Sequence, residues 1–574
     1  MVVRQHSGPR DEAPSARSHP DAGSEATRYL CAAAHTDDTF TERVLAEVFD
    51  DDLRAVAPSV GFDLGTVLRH CLSARRRRRL RDVGLLVAGG LAVLLAPLAT
   101  VLVGVTMAVG SSLAPLRPGR NGPVGPFLSM VAIATVSLVL VFQLGAATPG
   151  DDPAGLPGWV VGRPWLALPA GLVAYLVLVG HLLGTRRLLV TRLRRTRFRP
   201  GPPDVASLPA RDAERLAAVD RAQGGNVTVY GGYTPFVGHG TPVAGWSFAL
   251  PILADAHGPV ETAPTGEVSA PAGEVSAPAQ FTVVELIDHV RARLAAIRLD
   301  QAGDPTPERL AGLLLEDRVF VCGDRLTGDA RLLPHRERMP RQRWSDDEVR
   351  EVAGRPQGAA RHYLCALVPS WGGEVVASTF LHFSTDGQVL YLECARTVLE
   401  PPRQGYHDVD RLTEWLPVSQ LAQVLATGTE RLLPTALGAP LRLLRDLVRG
   451  AARGRRQARL RQLAREDLGY DYGARVGVRE VASGAEYHNY FQVLDAAKHL
   501  KVVERHVLAA ILDFLDARGV DTAEFRNRQT TILNQGVIQT GGLSVVGNQA
   551  VGQGARAEQE ADGAPSRSRR PRDD

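Results

Sequence analysis

Gly231, Gly232, Gly238, Gly240 and Gly245 follow a strand-like Val227-Thr-Val-Tyr230 and enclose Tyr233 and Phe236, before Trp246 opens a second apolar stretch. Glycine-rich turns after a strand bring backbone N–H groups close together, which is how phosphate is cradled. Here no Gly-Lys-Ser/Thr closes the loop, and a strand pattern follows it rather than a helix. A connection between strands is therefore the favoured use. Tyr230, Tyr233, Phe236 and Trp246, with Gly238 and Gly240, still make this the expected pocket or partner surface, since aromatic side chains concentrate there.

Other residues with chemical potential lack the spacing that chemistry needs. Ser247, Ser370 and Ser378 stand outside any Gly-x-Ser-x-Gly elbow, and His362 and His382 lack metal-ligand spacing. Asp346-Asp347 lies in a charged stretch, and His35 and His70 read as surface or satisfied core residues. Cys31, Cys71, Cys322, Cys365 and Cys394 are scattered, with no C-x-x-C, and read as reduced, packed thiols. The expectation is no catalytic residue, no metal and no cofactor. The rival reading is a membrane-anchored enzyme or ligand sensor built on loop 231–245.

A different kind of chemistry is offered by the C-terminal part. Asn534, Gln535, Val537 and Gln539 recur as Asn548, Gln549, Val551 and Gln553, and residues 532–555 contain neither Pro nor charge. Such segments suit cross-β stacking, where Asn and Gln side chains ladder between chains and Gly permits the turn. The alternative is a flexible polar end with a chance echo.

The elements that carry these residues divide at a membrane region. The 574-residue chain is 45% hydrophobic with a net charge of +4, so a sizeable core is expected and no global nucleic-acid field. Of its 66 basic residues all but Lys498 and Lys501 are Arg, a bias expected of a GC-rich genome. Residues 83–116, 124–147 and 164–185 are uncharged runs long enough to span a bilayer. Arg75–Arg79 and Arg81 precede the first, and Arg186, Arg187, Arg192, Arg194, Arg195, Arg197 and Arg199 follow the last, which places both termini in the cytoplasm. An even number of crossings results if 83–116, with Pro97 near its middle, folds as a hairpin. Three simple spans are the alternative. His181 is the sole titratable group in these runs, so they read as an anchor rather than an ion pathway.

The expected fold class is α+β with transmembrane helices. Residues 1–27 read as a disordered leader and 28–80 as a small helical unit with Phe40, Val44, Leu45, Val48 and Phe49 at helical spacing. Residues 201–400 form a cytosolic mixed α+β domain, with 255–280, containing a duplicated "GEVSAPA", as a linker insertion. Three consecutive strand patterns, the last two joined by Asp386-Gly387, predict an antiparallel meander. Residues 405–465 are helical and include a basic amphipathic helix over 437–465. Its Arg442, Arg445 and Arg449 suit an anionic bilayer surface; nucleic-acid binding and a solvated helix are the alternatives, nucleic acid being the least favoured. A helical unit over 467–530, the 532–555 motif with a short β-arc-like form and a disordered tail over 556–574 complete the chain.

Two resemblances follow from these residues. The segment 534–555, with Ile538-Gln539-Thr540-Gly541, resembles bacterial amyloid signalling motifs, which implies self-association or a partner with a similar segment. The longer stretches "RYLCAAAHTDDTF", "VTVYGGYTPFVG", "RHYLCALVPSWGGEVVASTFL" and "DFLDARGVDTAEFRNRQTTILNQGV" resemble uncharacterised actinobacterial multi-pass membrane proteins, a likeness that brings no activity. The expected function is an integral membrane protein with a cytosolic binding or scaffolding domain and a self-associating end, acting in stress or defence. Its expected partners are the lipid bilayer and copies of that end.

Overall fold

The computed structural model describes residues 24–95, 97, 100–101, 167–199, 209–253, 281–299 and 310–534, apart from 327, 356–357, 467–469 and 485. The expected span 124–147, residues 102–116 of the expected hairpin, the linker and most of the terminal repeat lie outside the described residues. Residues 1–522 form one unit and residues 523–574 a second.

Helix α1 (Glu25–Thr36) starts where the Ser24 hydroxyl accepts from the Thr27 N–H, so the helical chain begins inside the expected leader of 1–27. Asp37 caps α2 (Asp38–Val44), which tightens into a π-helical turn over Leu45–Phe49. Helix α3 (Leu64–Leu95) runs through the Arg75–Arg81 cluster into the first apolar block without a break. Helix α4 (Ala167–Arg192) returns beside it, with Gly84 of α3 against Val177 and Arg77 donating to the Gly184 carbonyl, seven residues further back on one helix and seven further on along the other. The two helices are therefore antiparallel.

Helix α5 (Ala210–Ala222) leads to β1 (Val227–Tyr230) and β2 (Thr241–Pro251), followed by α6 (Val283–Ala296), the short pair β3 (Arg298–Leu299) and β4 (Leu310–Ala311), β5 (Leu314–Cys322) and α7 (Asp346–Gly354). Strands β6 (Ala360–Ser370), β7 (Val375–Thr385) and β8 (Val389–Leu399) form the expected meander, with Gly387 at φ 92° in the turn that Asp386 anchors. The six-stranded sheet has the order β1-β5-β6-β7-β8-β2, with β1 parallel to β5 and the remaining pairs antiparallel. After it come a 3-10 segment (Gln404–Arg411), the 49-residue α8 (Val418–Glu466), α9 (Val478–Ala482), α10 (Tyr490–Ala517) and α11 (Ala523–Asn534), the last in the second unit.

Strands β6 and β7 are buried on both faces along most of their length, and this is why their sequences run apolar with little alternation, whereas β8 alternates and leaves Tyr391 exposed. One face meets Ala496 and Leu500 of α10; on the other, Phe236, Phe320, Tyr363, Phe380 and Val376 form a core shared with Val60. The 28–80 stretch is therefore no separate unit. Gln342 closes two hydrogen bonds with the backbone of Val56 at 2.8 and 2.6 Å, and the buried Arg215 donates to the carbonyls of Val48 and Asp51 at 2.7 Å. Arg28, wholly buried, reaches the Leu193 carbonyl just beyond α4 and pairs with Glu25 and Asp410.

Among the described residues four imidazoles are buried, those of His35, His70, His239 and His362, and three of them are shifted. Burial lowers His70 to about 4 and His239 to about 3, and it lowers His35, which shares a 3.0 Å hydrogen bond with His70, as well. The unfolded chain takes up protons on all three near pH 6.5, whereas the folded chain does not. Stability should thus be flat above about pH 6.5 and fall as the pH drops from there towards 4. Denaturant midpoints of the detergent-solubilised protein between pH 7 and 5 check this, and His239→Leu should flatten the slope.

Candidate functional site

The glycine loop does bind an anion, and the anion belongs to the chain itself. Glu480, in the first turn of α9, accepts through Oε1 from the N–H groups of Gly238 and Gly240 at 2.8 and 3.0 Å, and through Oε2 from Gly477 at 2.7 Å. Gly238 and Gly240 stand at φ 89° and 86°, and a Cβ on Gly240 would lie 2.3 Å from the Val398 carbonyl oxygen. Only glycine fits such backbone. The carboxylate fills the place a phosphate would take.

The aromatic candidates disperse around this clasp. Phe236 stacks on Phe380 at 4.2 Å in the core, while the Trp246 indole in β2 donates to Glu504 at 2.9 Å. Tyr230 ends β1 beside Ala474, and Tyr233 is fully exposed. Of the expected pocket or partner surface of Tyr230, Tyr233, Phe236, Gly238, Gly240 and Trp246, only Phe236 and Trp246 border a common hollow. What remains is a hollow of about 300 Å³ between Phe236, Trp246 and Arg396.

The other candidates are absorbed structurally. His362 pairs with Asp317 at 2.8 Å; burial opposes the effect, yet His362 and Arg291 together hold the Asp317 carboxyl below its usual range. His382 meets the His362 carbonyl, Ser370 bonds the Val375 carbonyl and Ser378 is wholly buried. Asp346 and Asp347 occupy the first turn of α7, whose N-terminus Ser345 and Glu348 cap reciprocally. All five cysteines are free thiols; burial pushes Cys71 up to about 12 and raises Cys31, Cys365 and Cys394, which suppresses thiolate chemistry.

A cavity lies where α3, α4 and α8 meet. It has a volume of about 870 Å³ and is lined by Arg78, Arg81, Arg186, Arg411, Arg431 and Arg442, with Asp38 and Asp408. Arg78 pairs with Asp38, Arg411 with Asp408, and Arg81 and Arg442 share Asp82. Arg186 is held by the neutral Gln420 side chain and the Thr413 carbonyl, and Arg431 is exposed. Six guanidiniums thus face three carboxylates. The surplus charge, in a concave site at the Arg-rich ends of two apolar helices, suits a phosphate-bearing ligand.

The position of α8 follows from its contacts. Gly428 lies against Tyr175 and Val179 of α4, and Ala439 packs with Leu85 and Ala88 of α3 and Ala174 of α4. Beyond it, Asp446 pairs with Arg79, and Arg449, Arg453 and Arg461 face Glu42, Asp50 and Asp52. The three arginines expected to suit a bilayer surface, Arg442, Arg445 and Arg449, are placed differently from one another. Asp82 engages Arg442, Glu42 stands 3.7 Å from Arg449, and only Arg445 projects without such a contact. Leu437, Leu441, Leu444, Leu447 and Val448 of α8 are exposed, as are Val87, Leu91 and Leu94 of α3 and Leu172, Val173 and Leu176 of α4. Among the described residues one helix, Pro169–Arg192, is long and apolar enough to cross a membrane.

A single cluster among the described residues could hold a metal: Glu374, His407 and His488. Sequence spacing missed it because its members come from three separate segments. Of the self-association residues only Asn534, the last residue of α11, is described; Gln535, Val537, Gln539, Asn548, Gln549, Val551 and Gln553 lie outside.

Comparison with known proteins gives one match. A family model for an AbeC-like domain covers residues 245–548, more than half of the chain, from within β2 into the Asn/Gln repeat. No curated protein and no solved structure matches.

If the cleft takes a phosphate-bearing ligand, short-chain phosphatidylglycerol or inorganic phosphate should raise the thermal midpoint of the protein in neutral detergent. An Arg186→Glu, Arg431→Glu double variant should lose that response while keeping its circular dichroism. Equal stabilisation of variant and parent would remove the cleft from consideration, and a response to the lipid alone would identify a headgroup site.

Proposed function

The chain belongs to the AbeC-like family, and on that premise we propose that it is a membrane-anchored binding and scaffolding protein of bacterial stress or defence, one that responds by clustering. The observation that carries the reading is the surface of the helix pair. Val83, Leu86, Val87, Leu91 and Leu94 of α3 are exposed immediately beyond the Arg75–Arg81 cluster, and Leu172, Val173 and Leu176 of α4 are exposed ahead of Arg186 and Arg187. A soluble protein rarely leaves so much contiguous Leu and Val uncovered, whereas lipid would cover it. The arginine collar below fits the cytoplasmic side of a membrane.

Topology supports the same view. Because α3 leaves and α4 returns antiparallel to it, with their Arg-rich ends against one folded body, the chain between them crosses an even number of times. That favours the hairpin arrangement over three spans and keeps both termini in the cytoplasm. The cleft then sits at headgroup depth. The C-terminal residues 532–555 supply the self-associating segment, since a short charge-free sequence rich in Asn, Gln and Val suits cross-β pairing with a second copy.

Two measurements separate these parts of the proposal. Single cysteines introduced at positions 12, 155 and 565 of an otherwise cysteine-free chain should react with an impermeant maleimide on intact cells only at 155. Labelling at 565 would sink the topology. A peptide of residues 528–557 at micromolar concentration should give fibres with cross-β diffraction. If it remains monomeric for days, and Val537→Pro with Val551→Pro leaves full-length self-association unaltered, the clustering role is lost and an anchored binding protein remains.

A further inference from the structure

We propose that Glu374, His407 and His488 form a zinc site of the two-histidine, one-carboxylate type. The donor atoms of all three lie within 4.8 Å of one another. Glu374 Oε2 is 3.0 Å from His407 Nε2, close to the edge length of about 3.3–3.5 Å that follows from metal–ligand distances near 2.1 Å in a tetrahedral site. Bringing the remaining donor in requires a contraction of about 1–1.5 Å, which side-chain rotation supplies.

The surroundings have the features that hold metal ligands rather than a casual ion pair. His488 uses Nε2 to donate to the Pro402 carbonyl at 2.7 Å, which leaves Nδ1 with its lone pair free for a cation. The His407 Nδ1 is buried and has no hydrogen-bond partner. The Tyr29 ring lies over His407 at 3.8 Å between centroids, and the Tyr29 hydroxyl is itself tied to Asp410 at 2.8 Å, so the imidazole is fixed in place.

Glu374 is presented by strained backbone. Trp371, Gly372 and Gly373 stand at φ 55°, 65° and 84°, and a left-handed conformation is unusual for a side chain as large as Trp. The Trp371 indole is anchored on Asp495 at 3.0 Å, a Cβ on Gly373 would lie 2.9 Å from the Gly61 carbonyl oxygen, and the buried Arg479 donates to the carbonyls of both Gly373 and Glu374. Backbone held this firmly aims a carboxylate at one place. Two imidazoles and one carboxylate favour zinc over calcium or magnesium, which take oxygen ligands throughout. Three protein ligands leave a fourth position for water, and the partial exposure of all three side chains gives a route to it.

The test uses the untagged, full-length chain in detergent, stripped with a chelator and then dialysed against zinc. One zinc per chain by elemental analysis after gel filtration, with a thermal midpoint that rises on zinc and falls on chelation, is the expected result. His488→Gln and Glu374→Gln should each weaken zinc binding by more than the roughly 10- to 100-fold that loss of an outer-shell partner causes. Cobalt in place of zinc should give the intense visible bands of a tetrahedral site in the parent and not in His407→Gln. Far less than one equivalent of zinc in the parent, or unchanged affinity in variants whose circular dichroism matches the parent, would overturn the proposal.

Discussion

A buried guanidinium keeps its proton and presents five N–H donors in one plane, so each one that enters the interior obliges distant segments to bring acceptors to it. Four such groups organise this protein. Arg28 gathers Glu25, Asp410 and the Leu193 carbonyl, and Arg215 gathers the carbonyls of Val48 and Asp51. Arg318 bonds Glu316 and the Gly225 carbonyl, and Arg479 fixes the turn before Glu374. The first two join the N-terminal helices to segments that lie more than 150 residues away in sequence. Lysine, a point charge on a flexible stem, would not serve several carbonyls at once, and removing one of these arginines leaves acceptors and carboxylates stranded in the interior.

The same economy of partners governs the anions. Glu480 binds three glycine N–H groups that would otherwise face the interior unmet, and Glu504 accepts from Trp246 while pairing with Arg396 at 3.0 Å. Together they tie the loop after β1 and the bulged start of β2 to α9 and α10. The edge strand β2 is thereby held against β8 by side chains as well as by its ladder, with Gly245 at the bulge where a Cβ would lie 2.3 Å from the Cys394 carbonyl oxygen.

Local patterns made part of this legible in the sequence. The meander could be read because its strands are apolar, of similar length and joined by Asp386-Gly387, and the start of α6 because Thr282 and Glu285 stand at capping spacing. Helix α3 was harder. Its apolar block begins at Val83, so Arg75–Arg81 resembled a flank, yet arginine is a good helix former and the helix passes straight through. The clasp at Glu480 and the cluster of Glu374, His407 and His488 left no local trace, because spans of 240 and 114 residues separate their members (480 − 240; 488 − 374). The ion pairs of the α8 arginines are hidden from the sequence for a similar reason. Their carboxylate partners on α2, α3 and the segment 50–52 carry no signal in the helix itself.

That last pairing bears on how the two halves of the molecule communicate. The family match begins in β2 and leaves out α3 and α4, but it includes α8, which touches both. Pro434 and Pro440 fall between the stretch of α8 that meets α4 at Gly428 and the stretch that meets α3 at Arg442 and Asp446. Each proline removes a backbone hydrogen bond, so this is where the long helix is most easily bent. Further along, α8 is bound by ion pairs to Asp50, Asp52 and Glu337. Helix α8 therefore links the α3–α4 pair to the segments at 50–52 and 337, with its two prolines close to the pair. The arginine-lined cleft lies at that junction, and its lining draws Arg81 from α3, Arg186 from α4 and Arg431 and Arg442 from α8.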